Sequence, residues 1–583
     1  MRSVLARPRP FALVFALTLL TCLAIAPQIV AQGGEPDYFA IRGARIVPVS
    51  GPPVENATVV VANGIITAIG KDVAIPPNAW VIEGKGLTVY PGLFDAFTDV
   101  GLPQAPASPG GGAEGGPRRG QEVTSRGPED RPGTTPWRSA ADEVSLSDKR
   151  IESWREGGFT TVVSAPKGGM FPGQAAVLDL AGDRASEMVV KTPVAIPISL
   201  VPSGGFGNFP GALMGALAYV HQVWIDTDWS AHALAAYEKN PHGVARPPYD
   251  HTEAVLAAAM EDHALVLIPA NNTVQLRRAL VLSDLWQVDS WQMDCVIYGG
   301  QMAYEVADEI AAKKVPVLVN LKWPEAEKDA DPDDTPSLRT LRFRDKAPSS
   351  PAALAKAGVQ FAFYSGGLTG PKDILKAAKK SIDAGLAPET ALRALTLSPA
   401  QIYGVEDRLG SIDTGKIANL VVTDGDLFDE KTKIKLVFVD GKRFEIHEPE
   451  KPKDPPKGNM TGKWKLSYTT PDGPEESTAD LDMASDGTLS GTTTSTRGTA
   501  TIISGYLSAD KFAFTINIPI EGNPTDAVFT GTFDGSALKG TIDVMGYSID
   551  FTGTKPMARA AQAAGSAIYG NSNNVSFLAG GAL

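Results

Sequence analysis

Short apolar runs alternate with helical stretches through the middle of the chain. Phe159 to Ser164, Ala264 to Ile268, Cys295 to Tyr298, Val315 to Asn320 and Val359 to Tyr364 have the continuous apolar character of strands buried on both faces. Between them, Gln275 to Leu285, Ala303 to Lys314 and Asp373 to Ala384 have helical spacing, the last with Ile374, Ala378 and Ile382 on one face. That order predicts parallel strands joined by crossover helices. A (β/α)8 barrel and an open doubly wound sheet both satisfy it, and periodicity does not choose between them.

Two β segments bracket this region. Thr58 to Ala62 and Ile65 to Ile69 flank Asn63-Gly64, and Ile434 to Val439 and Lys442 to Ile446 flank Asp440-Gly441. Both pairs suit a type I′ hairpin, whose central residues need positive φ. Residues 103–137 are rich in Gly, Pro, Arg and Glu and predict a flexible loop. Residues 451–457 read as a Lys/Pro/Asp linker. From Gly458 to Thr554, Ala479, Leu481 and Met483 alternate with polar residues, and Asp472-Gly473, Asp486-Gly487 and Asp534-Gly535 fall at hairpin spacing. An antiparallel β meander or small barrel is expected over 458–555, opened by a Gly462-Lys463-Trp464 that resembles lipocalin-like barrels. The Ala/Gly/Asn-rich tail 556–583 is expected to be poorly ordered.

Arg2, Arg7 and Arg9 precede an apolar stretch from Phe11 to Ile25, with small residues near Ala31, so residues 1–31 predict an export signal. The stretch is shorter than the ~20 residues that span a bilayer, and no stable membrane span is expected after cleavage. Cys22 lies inside the signal, which leaves Cys295 without an intramolecular disulfide partner. Export without disulfides suits a periplasmic or secreted protein. Lys plus Arg 53 against Asp plus Glu 66 gives a net charge of −13, and nucleic acid is not an expected partner.

A family resemblance resolves the fold. Ile41-Arg42-Gly43-Ala44-Arg45-Ile46-Val47 and Tyr90-Pro91-Gly92-Leu93 look like the imidazolonepropionase-type amidohydrolases. So do Ala391 to Ala400, Asp407-Arg408-Leu409-Gly410-Ser411-Ile412, Gly415 to Val422 and Val439-Asp440-Gly441. The resemblance covers roughly residues 38–447. It implies a (β/α)8 TIM-like barrel over 91–400 beside a composite β-sandwich built from 32–90 and 401–450. It also implies a metal-dependent hydrolase of carbon-nitrogen bonds in small amides or cyclic amides, using zinc or another divalent ion.

Such relatives generally hold metal through His-x-His on strand 1, a carboxylated Lys or Glu on strand 4, His on strands 5 and 6 and Asp on strand 8. A metal-bound hydroxide attacks the carbonyl, and the Asp shuttles the proton. Carried over position by position, the strand-1 slots hold Phe97 and Asp99, strand 5 holds Pro269, and strand 8 holds Gly366. Strand 6, Val296 to Gly300, offers no His, and strand 4 does not align. A phenyl ring, a proline and a glycine bring no electron pair to a metal. The expectation is therefore no metal cofactor and no standard hydrolysis. On a regular strand Asp95 and Asp99 would share one face about 13 Å apart, with Phe97 between them.

On the barrel reading Asp99, Asn271, Asn272, Tyr298, Gln301, Lys322, Tyr364 and Ser365 project near the C-terminal rim, where hydrogen-bonding groups suit a small polar molecule. His221, His232, His242, His251 and His263 crowd one stretch. A relocated metal site could use His221 with Asp226 and Asp228, or His251 with Glu253; a polar helical insertion with solvated histidines is the plainer reading. Lys167-Gly168-Gly169 lacks the Walker pattern. Three functions stay open: a carbon-nitrogen hydrolase with an unusual site, a silent homologue that binds a ligand or pairs with itself or an active relative, and an envelope or glycan contact made by the C-terminal β domain.

Overall fold

The computed structural model describes residues 38–103, 131, 133–201, 210–262, 264–288, 293–326, 335–368, 370–446, 454–470, 473–495, 498–520, 523–544 and 547–555. The expected export signal, most of the Gly/Pro-rich loop and the C-terminal tail lie outside them. Two compact units divide at Ile446 and His447.

In the first unit, β1 (Tyr38–Ile46), β2 (Val54–Ala62), β3 (Ile65–Gly70), β4 (Trp80–Glu83) and β5 (Thr88–Pro91) join β14 (Leu420–Thr423), β15 (Ile434–Val439) and β16 (Lys442–Glu445) in one eight-stranded sheet. The seam is β5 against β14, with Val89 opposite Val422 and Tyr90 opposite Val421. The sheet folds over its own core, so that Phe39 of β1 meets Phe438 of β15 edge-on at 5.6 Å. Asn63 and Gly64, and Asp440 and Gly441, all have positive φ, as the hairpin signals required.

The barrel strands are β6 (Leu93–Thr98), β7 (Phe159–Ser164), β8 (Ala175–Asp179), β9 (Val189–Pro197), β10 (Leu265–Ala270), β11 (Cys295–Gly299), β12 (Val317–Asn320) and β13 (Phe361–Tyr364). They follow one another in order around a nearly closed, TIM-like sheet. One strand departs from the expected parallel pattern: β8 runs antiparallel to both β7 and β9. The connection between β7 and β8 spans only 165–174 and holds Gly168, Gly169 and Gly173, too short for a crossover helix. A chain with no crossover must turn back as a hairpin.

Phe94, Ala96, Val163, Ala175, Leu267, Val296 and Leu318 fill the barrel interior. Beyond β13, α-helix Leu397–Ile402 leads into Tyr403, which enters this core and donates its hydroxyl to Ala96 O at 2.7 Å. The lower end is closed by packing. At the other end, the last residues of the segment expected to be a loop, 133–137, are packed in: Thr134 and Thr135 are buried and Thr134 bridges to Phe171. Two helices inserted after β9, Leu213–Lys239 and His251–Glu261, are less polar than expected, since the first buries Val220, Val223 and Trp224 in the core.

The second unit is a closed barrel of eight antiparallel strands in sequence order. They are β17 (Gly462–Thr470), β18 (Gly473–Met483), β19 (Leu489–Ser495), β20 (Gly498–Ser508), β21 (Lys511–Ile520), β22 (Asn523–Phe533), β23 (Ala537–Val544) and β24 (Tyr547–Thr554). Trp464, Phe512, Phe514, Phe529 and Phe551 fill it, with Phe514 stacked on Phe529 at 4.5 Å. Part of the expected linker is fixed to this unit, because Asp454 N donates to Ser508 Oγ and Lys457 N to Ala509 O. Among the described residues, no helix is long and apolar enough to cross a membrane.

Candidate functional site

Strand β6 and the residue that follows it carry three chemically distinct side chains, Asp95, Phe97 and Asp99, and a β-bulge decides where each goes. The register against β7 shifts between Leu93 and Phe94 and again between Asp95 and Thr98, which rotates successive side chains out of simple alternation. Asp95, Phe97 and Asp99 therefore do not share one face as a regular strand would require. Phe97 packs inward on the rings of Tyr298 at 5.0 Å and Tyr364 at 5.8 Å. Asp95 is buried against α1 (Arg150–Glu156), accepting from Trp154 Nε1 at 3.3 Å and from Ser365 N at 2.9 Å. Burial pushes its carboxyl up to about 6, against the pull of those donors.

Asp99 is saturated by cations. Arg150 Nη1 reaches Oδ1 at 2.8 Å and Lys167 Nζ reaches Oδ2 at 2.7 Å, while Arg150 Nη2 donates to Asp99 O. Burial would raise this carboxyl, but Lys167 and Arg150 outweigh it and hold it below the usual range. Arg150 is itself oriented by Asp148 at 2.8 Å. A carboxylate with both oxygens committed to ammonium and guanidinium groups has little to offer a metal.

The remaining slots are closed by amides from neighbouring strands. Gly366 has φ +59, and a Cβ there would stand 1.9 Å from Oδ1 of Asn320, the last residue of β12. Asn320 Oδ1 accepts from Lys322 N at 2.7 Å. Gly299, on the strand that lacks a His, holds Asn271 in the same way: a Cβ there would lie 2.4 Å from Asn271 Oδ1. Pro269 sits opposite Tyr298 in the β10–β11 ladder. Tyr298 donates its hydroxyl to Ile198 O at 2.9 Å, and burial raises the pKa of both Tyr298 and Tyr364 far above the ordinary phenol range. Both phenols stay neutral.

A divalent ion does not fit this mouth. Where the family resemblance would place two imidazoles and a carboxylate, the structure has a phenyl ring packed on two phenols and an amide pressed against a glycine. Among the described residues no group of three or more His, Cys, Asp or Glu side chains is placed to hold a metal.

Other residues expected at the rim have structural partners. Asn272 caps α-helix Thr273–Val288: its Oδ1 accepts from Gln275 N at 3.0 Å, while Gln275 Oε1 accepts from the amides of Asn271 and Asn272. This is a capping box, and Asn272-Thr273-Val274-Gln275 is its sequence signal. Gln301 is buried and donates to Lys322 O at 2.5 Å. Ser365 is buried and spends its amide on Asp95, whereas Lys322 is exposed.

The histidine-rich insertion uses its acids elsewhere. Arg131 Nη2 lies 2.7 Å from Glu253, 3.1 Å from Asp250 and 3.8 Å from Asp226, so two of the acids a relocated metal site would have needed hold a guanidinium. His251 stacks on Trp137 at 5.0 Å, and His232 lies beside Asp228. His263 falls outside the described residues. Sequence reasoning missed Asn320, Arg150 and Arg131, each of which acts through a partner distant in the chain.

Comparison with known proteins agrees with this architecture. The amidohydrolase family model matches residues 338–444, from the helix before β13 through β16. Adenine deaminase 3 of Rhizobium meliloti (strain 1021) is 39% identical over 79 residues, a match spanning 14% of this chain and only 13% of that protein. The crystal structure of an amidohydrolase from Thermotoga maritima MSB8 superposes with a TM-score of 0.57 at 24% identity, over 70% of this chain and all of that one. The chain thus shares the fold of that amidohydrolase, and its residues 338–444 match the amidohydrolase family model.

Proposed function

We propose that this chain is a member of the amidohydrolase superfamily that does not carry out metal-hydroxide hydrolysis, and that its barrel mouth binds a small polar molecule in the cell envelope. The observation that carries this reading is the Asn320 amide lodged against Gly366. Hydrolysis of an amide by the family route needs a metal to activate water and a carboxylate to take its proton. Here the position of that carboxylate is filled by a neutral amide that neither accepts a proton at ordinary pH nor leaves space for a group that could.

What remains suits binding. The exposed amide of Asn271 offers a donor and an acceptor beyond the end of β10. Lys322 is an exposed cation, Lys167 is exposed with its ammonium on Asp99, and Phe97, Tyr298 and Tyr364 form a neutral aromatic cluster. Such a surface holds a polar ligand without activating a nucleophile. The superfamily's carbon-nitrogen hydrolysis is the competing reading, and it makes the opposite prediction.

The test is elemental analysis of native protein and of protein loaded with zinc and then dialysed, together with turnover assays on cyclic dipeptides and N-acyl amino acids. Far less than one ion per chain and no metal-dependent turnover are expected. One tightly held ion per chain, or turnover abolished by chelation, would refute the reading.

A further inference from the structure

The second unit carries a cleft of its own. It has a volume of about 1170 Å³ and opens where β17 and β24 part company. Their ladder runs from Lys465 opposite Thr554 to Tyr468 opposite Phe551 and stops there, although both strands continue through Thr470 and back to Tyr547. The partly buried Tyr468 therefore lies at the floor of a slit whose walls are the outward-facing side chains of the adjoining strands, with the interior Phe551 beneath it.

Those walls are ordered in rows. Glu476, Ser467, Thr552, Lys539 and Thr532 stand directly opposite one another across five consecutive strands. At the usual strand spacing such a row is about 19 Å long. A second row passes through Asp550, Thr541 and Thr530, with the last two hydroxyls 3.1 Å apart. Hydroxyls are thus the commonest polar groups of the walls, with Asp550 and Lys539 making no ion pair among the described residues. Glu476 is held by Lys465 at 2.8 Å.

We propose that this cleft binds a neutral oligosaccharide. Hydroxyl groups that both donate and accept, set at regular spacing along a trough, match the hydroxyls of a sugar chain, and the partly buried Tyr468 ring at the floor meets the apolar face of a sugar ring. Lys465 neutralises Glu476, and Asp550 and Lys539 carry opposite charges, so these walls hold no cluster of cations that would select an anionic polymer. An apolar ligand would strand the walls' hydrogen-bonding groups. The phenylalanine-filled interior leaves the outer trough as the binding surface. This inference is independent of the barrel mouth and of any reading of its chemistry.

Isothermal titration of the full chain with cellotetraose, maltotetraose and chitotetraose tests it, alongside a Thr541→Val/Asp550→Asn variant. Both substitutions lie on the exposed face, and unchanged thermal melting serves as the folding control. Saturable binding of at least one tetrasaccharide is expected, weakened about tenfold in the variant by the loss of two or so hydrogen bonds. An unchanged affinity in Phe97→Ala separates this cleft from the barrel mouth. Absence of saturable binding for all three sugars, or equal affinity in the Thr541/Asp550 variant, would overturn the proposal.

Discussion

The carboxamide of Asn320 occupies the space that the first side-chain carbon of any residue at position 366 would need. Gly366 meets that demand in two ways, since its φ of +59 is also a conformation that residues with a Cβ rarely adopt. Asn320 is held there by Lys322 N, which donates to its Oδ1 at 2.7 Å. The contact is thus a built feature of the mouth, and putting an acid back at 366 is not a single-residue change.

Gly366→Asp is accordingly expected to destabilise the first unit without creating a metal site. The clash and the left-handed backbone together should cost about 2–4 kcal/mol. Asn320→Gly relieves the clash but not the φ, so the double variant should recover part of the loss. Denaturant unfolding of the two single variants and the double one measures the coupling. Additive effects would show that Asn320 does not occupy the position.

Much of the fold was legible in the chain because its signals are local. Continuous apolar runs marked β7, β10, β11, β12 and β13, and Asn63-Gly64 and Asp440-Gly441 marked two hairpins. The reversal of β8 was not legible, since Ala175 to Asp179 is as apolar as a parallel strand and only the short 165–174 connection betrays it. At the site, Asn272 carried a readable capping signal. Asn320 against Gly366, and Arg131 among Asp226, Asp250 and Glu253, depend on pairings across distant segments that no local pattern encodes.

The capping role of Asn272 separates structure from ligand binding. Asn272→Ala removes the acceptor for Gln275 N and should lower stability by about 1 kcal/mol. Asn272→Asp retains an acceptor at a helix N-terminus and should restore it. Urea midpoints for the three proteins decide the matter. Equal midpoints for Ala and wild type would remove the cap from the account.

Asp99 should contribute stability through Arg150 and Lys167 only while it is ionised. Its folded pKa lies below the unfolded value, so the contribution is complete above the unfolded pKa and disappears as pH falls through the folded one. Lys167 is largely exposed, which limits its share. Asp99→Asn is expected to cost about 1 kcal/mol at neutral pH and nothing in strong acid. A cost that persists undiminished at the lowest pH where the protein remains folded would assign the loss to shape instead of charge.

Asp179 gives the opposite slope. Its buried carboxylate accepts from Thr161 Oγ1 at 2.7 Å and from Asn419 Nδ2 at 2.9 Å, joining β7 and β8 to the returning segment before β14. Burial pushes its pKa up to about 7 despite those donors. Because the folded value exceeds the unfolded one, the stabilising contribution is fully present below the unfolded pKa and is lost as pH rises through about 7. Asp179→Asn keeps an acceptor for both donors and removes the ionisation, so the variant should lack this decline. Between about pH 5 and pH 8 the wild type should lose on the order of 3 kcal/mol relative to Asp179→Asn. Urea unfolding of both proteins across that interval reads the difference directly, and parallel stability curves would show that Asp179 is not the titrating group.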